Sequence, residues 1–81
     1  MQITIRLFAS LRDRAGVSQI TIDVPEGGTI AEALKEIRHR LPNIGDNLHG
    51  IAYALNRSYV QPNTPLQDGD ELALIPPVSG G

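Results

Sequence analysis

The sequence predicts an α+β fold, a mixed β-sheet with one main helix packed across it. Three observations carry that expectation. Two segments near the start, Gln2–Phe8 and Ser18–Val24, alternate polar and apolar residues with period two, as half-buried strands do. A later segment repeats apolar residues at Ile30, Leu34, Ile37 and Leu41, the spacing of a single helical stripe. The remaining apolar runs are short and bounded by Asn, Gly and Pro, which is how strands joined by turns read.

Each element has its own justification. In the first strand Ile3, Ile5 and Leu7 share a face. Ala9 to Ala15 is long enough for about two turns of helix before Gly16 breaks it. Ile20, Ile22 and Val24 line one face of the second strand, which Pro25-Glu26-Gly27-Gly28 closes. These two strands are expected to be antiparallel neighbours. The main helix starts at Thr29, where Thr29 and Glu32 have the spacing of a capping box. Arg38, His39 and Arg40 fall in its last turn, where positive charge suits the helix dipole, and Pro42 stops it.

Asn43 to Gly50 reads as a loop with a short helical turn. Ile51 to Leu55 and Ser58 to Gln61 read as short strands joined by a tight turn at Asn56-Arg57, since Asn tolerates left-handed φ/ψ. Pro62 and Pro65 mark a loop, and Leu66 to Asp70 a turn. Glu71 to Ile75 closes the set with apolar residues on both faces, as expected of a strand inside a sheet. The right-handed crossover rule makes either the strand after the helix or the last strand parallel to the first. That is the β-grasp layout of ubiquitin, although other α+β sandwiches share the order. The domain is expected over residues 1–75, with 76–81 as an extended, flexible C-terminal tail.

Composition narrows the function classes. The 81 residues suit one domain, and 41% hydrophobic residues suffice for a packed core. There is no cysteine, so disulfides, zinc knuckles and iron–sulfur clusters are excluded. A formal net charge of −2 without a basic stripe argues against nucleic-acid binding. No signal peptide or membrane-spanning run is present, so the expected compartment is the cytoplasm.

The tail carries the chemistry. Pro76 and Pro77 have no N–H for a ladder and favour a stiff, extended exit. Val78, Ser79, Gly80 and Gly81 then narrow to a tip without side chains, able to pass a channel too tight for any Cβ. A frayed terminus is the plain alternative, but it requires no stiff proline spacer. A terminal carboxylate is a poor electrophile until adenylation makes it an acyl-adenylate. Attack by a persulfide then yields a thiocarboxylate, and attack by a lysine an isopeptide bond. With no thiol in the chain, any sulfur it carries must sit at the terminus.

Other constellations carry little. His39 and His49 lack ligand spacing, so no metal site is expected. Asp68, Asp70 and Glu71 are explained by turn chemistry, and the serines have no histidine partner at recognisable spacing. Gly27-Gly28 lacks both the dinucleotide fingerprint and the Walker lysine. Phe8 reads as core in the first instance, or as an exposed anchor beside the tail.

The stretch Asp68-Gly69-Asp70-Glu71-Leu72-Ala73-Leu74-Ile75-Pro76-Pro77-Val78-Ser79-Gly80-Gly81 closely resembles the end of the small, sulfur-carrier subunits of molybdopterin synthase, a ubiquitin-like family. Phe8-Ala9-Ser10-Leu11-Arg12 with Gly16 resembles that family's F-A-x-L-R pattern, and Ala54 to Val60 its hairpin. Ser58 departs from relatives with an acidic residue there, which leaves the tail chemistry intact. The resemblance implies that an E1-like adenylating enzyme uses ATP on Gly81, and that a sulfur donor protein makes the thiocarboxylate. The tail then enters the large synthase subunit of a heterotetramer and delivers sulfur to cyclic pyranopterin monophosphate. The chain itself binds no cofactor and is not catalytic alone. On the same resemblance, Phe8 and Arg12 are candidate partner contacts. A carrier for thiamine or tRNA thiolation, a ubiquitin-like modifier and a passive interaction module remain the alternatives.

Overall fold

The computed structural model of the chain describes residues 1–77, so Val78, Ser79, Gly80 and Gly81 lie outside the described residues. In chain order the elements are β1 (Gln2–Leu7), α1 (Ala9–Ala15), β2 (Gln19–Asp23), α2 (Ile30–Arg40), a 3-10 helix (Pro42–Asn47), β3 (Ala52–Leu55), β4 (Ser58–Val60) and β5 (Glu71–Ile75). The five strands form one sheet in the order β2-β1-β5-β3-β4. β1 and β2 are antiparallel neighbours, as expected. The strand parallel to β1 is the last one, β5, which β3 flanks antiparallel on its other side. This is the ubiquitin-like β-grasp.

Register explains the core. Ile5 lies opposite Ile20 and Leu72, and Leu7 opposite Leu74, so one sheet face is apolar across three strands. α2 lays Ile30, Ala33, Leu34 and Ile37 on that face, and all four are buried. Fully burying each Ile or Leu contributes roughly 1.5–3 kcal/mol, and nothing else staples the fold. Leu41, the fourth member of the expected stripe, caps the helix and is only half-buried.

Two expectations need correction. Thr29 and Glu32 make no capping box, because Thr29 forms no side-chain cap bond. Backbone does that work: the Ile30 amide donates to the Thr64 carbonyl and the Ala31 amide to the Pro62 carbonyl, both at 3.1 Å. Second, Phe8 is half-buried and stands outside the core cluster. The short helical turn expected within Asn43–Gly50 is the 3-10 helix, which inserts Ile44 into the core, and the residue after it, Leu48, is buried as well.

Candidate functional site

Pro76 and Pro77 end the sheet, and the topology decides where. β5 is held on both sides, so the chain leaves from the middle of the sheet rather than its edge. At that end Leu74 lies between Leu7 of β1 and Tyr53 of β3, and Ile75 lies opposite Ala52. Pro76 is half-buried and Pro77 is exposed. Of the residues read from the sequence as the tail, Val78, Ser79, Gly80 and Gly81 lie outside the described residues.

Among the described residues no helix packs on the second face of the sheet. The pairings put Arg6 beside Ala73, Ala73 beside Ala54, and Ala54 beside Tyr59 in one row. Ile75 and Ala52 form the next row toward the tail. Phe8 keeps an extended backbone (φ −126°, ψ 156°), so the alternation of β1 carries its ring onto this face, level with Ile75. Ala9 then takes a left-handed φ of 48°, which lets the chain stay extended through Phe8 before α1 begins. The Arg6 guanidinium lies 5.5 Å from the Phe8 ring centroid, within cation–π range. Arg6 also sits 3.7 Å from the Glu71 carboxylate, a pair too exposed to add much stability.

The result is an apolar strip, Phe8, Ile75, Ala52, Ala73 and Tyr59, with the buried Ala54 in its middle, that begins where the tail leaves. Tyr59 is 75% exposed, which for a large aromatic on a strand is unusual. Beside it runs an open groove of about 460 Å³ between Ile51–Tyr53 and Tyr59–Pro62. Arg12 lies exposed on α1 near the same end, with its Nε 3.9 Å from the Asp13 carboxylate. His39 and His49 are exposed as well.

The sequence reading brought Phe8, Arg12 and the tail into consideration but missed Tyr59 and Ile75 as face residues. A signal was present: in Ser58–Val60 the alternation that turns Val60 inward turns Tyr59 outward.

Residues 5–81 match the ThiS family. The chain belongs to that family. A Chlamydomonas reinhardtii relative named molybdopterin synthase sulfur carrier subunit is 39% identical, the match covering both chains in full. SAMP1 of Haloferax volcanii, a small archaeal modifier protein, superposes with a TM-score of 0.93 at 30% identity, with 100% of each chain covered. A chain from the protein–protein complex of subunits 1 and 2 of the Helicobacter pylori molybdopterin-converting factor superposes with a TM-score of 0.71. It is also 30% identical, with 100% of each chain covered. In this ThiS-family chain no described helix is long and apolar enough to cross a membrane.

Proposed function

We propose that the chain is the sulfur-carrier subunit of a cytoplasmic molybdopterin synthase, with the carboxylate of Gly81 as its working group. The observation that carries this reading is the exit of Pro76-Pro77 from the centre of the sheet, beside an uncovered apolar face. A partner seated on that face receives the tail directly into its cleft. The name of the Chlamydomonas relative and the Helicobacter complex support the assignment.

In the proposed cycle an E1-like enzyme adenylates Gly81 with ATP, releasing pyrophosphate. A persulfide on a sulfur donor protein attacks the acyl-adenylate and AMP leaves; a second thiol then cleaves the resulting acyl disulfide, freeing the thiocarboxylate and leaving a disulfide on the donor side. Inside the large subunit the thiocarboxylate sulfur bonds to a carbon of cyclic pyranopterin monophosphate in place of an oxygen group, and water cleaves the acyl C–S bond, leaving sulfur on the pterin and restoring the carboxylate. The chain contributes a co-substrate terminus and a docking face, and catalytic side chains belong to the partners. Pro76, Pro77, Val78, Ser79 and Gly80 form the inserted segment, with Phe8 and Arg12 beside its root. The carrier needs no bound cofactor of its own; ATP belongs to the activating step.

The likeness to SAMP1 favours one second reading, attachment of Gly81 to lysines of other proteins. Intact mass separates the two. After incubation with ATP, the activating enzyme and a sulfur source, a sulfur carrier gains one sulfur in place of one oxygen at Gly81. An unchanged mass with an activating enzyme proven on another carrier would refute the proposal, and isopeptide adducts would favour the modifier.

A further inference from the structure

The formal net charge of −2 conceals a strong separation along the axis of the tail. β1 and β5 run parallel toward the tail, so the end where they finish is defined for every element. α1 follows β1 there. α2 begins at the opposite end, where Thr29 bridges to Pro65, and its last turn reaches the tail end. The tail end accordingly gathers Arg12, Arg14, Arg38 and Arg40, all exposed, against two carboxylates, Asp13 and Asp46, a net of two positive charges. Arg6 on β1 and Glu71 on β5 lie between the ends and cancel as an ion pair.

The far end gathers Asp23, Glu26, Glu32, Asp68 and Asp70, five carboxylates against Arg57 and the Met1 amino group, a net of three negative charges. Lys35 and Glu36 cancel mid-helix. Helix-dipole preferences account for Arg12, Arg14, Arg38, Arg40 and Glu32. Asp68 and Asp70 accept from the Gln2 and Gln67 amides. Whatever the local cause of each, the charges add to one field along the tail axis. The 11 residues of α2 alone separate the ends by about 16 Å at ~1.5 Å per residue. That is about two Debye lengths at physiological ionic strength, so a partner meeting the tail feels the basic end largely unscreened by the acidic one.

We infer that the tail end is an electrostatic collar that fits an acidic protein surface bordering the cleft the tail enters. The collar orients the carrier tail-first during encounter, while the apolar strip supplies the lasting contact. Such steering acts on association and fades with salt. The inference rests on the carrier reading for the identity of the partners, which are the large synthase subunit and the activating enzyme.

The test is stopped-flow association of the full chain with each of those two proteins, at low and high salt. The double variant Arg38→Glu/Arg40→Glu is expected to slow association on the order of tenfold at low salt with at least one of them. Dissociation stays within about twofold, and the difference disappears at high salt. The neutral pair Arg38→Gln/Arg40→Gln, gentler on the end of α2, gives a smaller loss in the same direction. The far-end control Asp23→Asn/Glu26→Gln leaves association unchanged. Unchanged association with both partners, or a loss confined to dissociation and insensitive to salt, overturns the inference. The sulfur-for-oxygen mass gain at Gly81 reports the carrier reading separately, so a normal gain with unsteered association sinks the collar alone.

Discussion

Tyr59→Ala tests the docking face most directly, because the structure separates its cost to folding from its cost to binding. Tyr59 is 75% exposed on β4, opposite Ala54, so the fold has little of the ring to lose. A cross-strand pair of this kind contributes roughly 0.2–1 kcal/mol, which lowers the melting midpoint by about 1–8 °C in a domain of this size. Binding is different. A tyrosine offers about 200 Å² for burial, and three quarters of that is still available, about 150 Å². At about 25 cal/mol/Å² the ceiling is ~4 kcal/mol. Ordering the side chain and incomplete coverage halve it, leaving about 2 kcal/mol, or roughly 30-fold in Kd. Titration calorimetry against the large subunit, with a melting curve on the same sample, measures both terms. A folded variant whose Kd stays within about threefold of the parent chain would refute the docking face.

Three further changes probe the tail, the collar and the fold. Removal of Gly81 is expected to abolish the sulfur-for-oxygen mass gain while leaving the melting midpoint unchanged. The charge reversal Arg12→Glu, at an exposed α1 residue, is expected to weaken large-subunit binding severalfold at low salt and little at high salt, measured by the same titration. Gly28→Ala is expected to destabilise the fold by about 1–3 kcal/mol in a denaturant titration. Its added Cβ would lie 2.6 Å from Val24 Cγ1 and 2.9 Å from the Pro25 carbonyl oxygen.

The legible parts of this sequence are those where local pattern and global fold agree. Period-two alternation located β1 and β2, and the Ile30–Leu34–Ile37 stripe located α2, because burial selects those faces and little else competes. Asn56-Arg57 was legible as a turn because both residues take positive φ, 49° and 75°, and Asn is suited to it. The Asn56 side chain then does something no local pattern announces. It accepts from the Glu71 amide at 2.9 Å and donates to Asp70 at 3.0 Å, tying the β3–β4 turn to the start of β5. Ile44 and Leu48 were hidden because two apolar residues in a Pro-, Asn- and Gly-rich stretch make no period. The capping box failed for a similar reason: the Pro62 and Thr64 carbonyls, more than 30 residues on in sequence, reach the first amides of α2.

The candidate site shows the same division. Pro76 to Gly81 could be proposed from sequence because the proposed chemistry depends on main chain and on the order of prolines and glycines, with no side chain to be placed by the fold. The strip beside it could not be, because Phe8, Ile75, Ala52 and Tyr59 come from four segments that meet only when β5 inserts between β1 and β3. That insertion also explains how the working end is kept apart from the fold. Leu72 and Leu74 are fully buried and β5 is paired on both sides, so the domain is anchored up to Ile75. Load on the tail is therefore borne by two ladders and a packed core before it reaches any other element. An edge strand such as β2 or β4 would peel from a single ladder instead. A carrier whose end is repeatedly drawn into and out of partner clefts gains from a central last strand, and the prolines mark where the held chain stops.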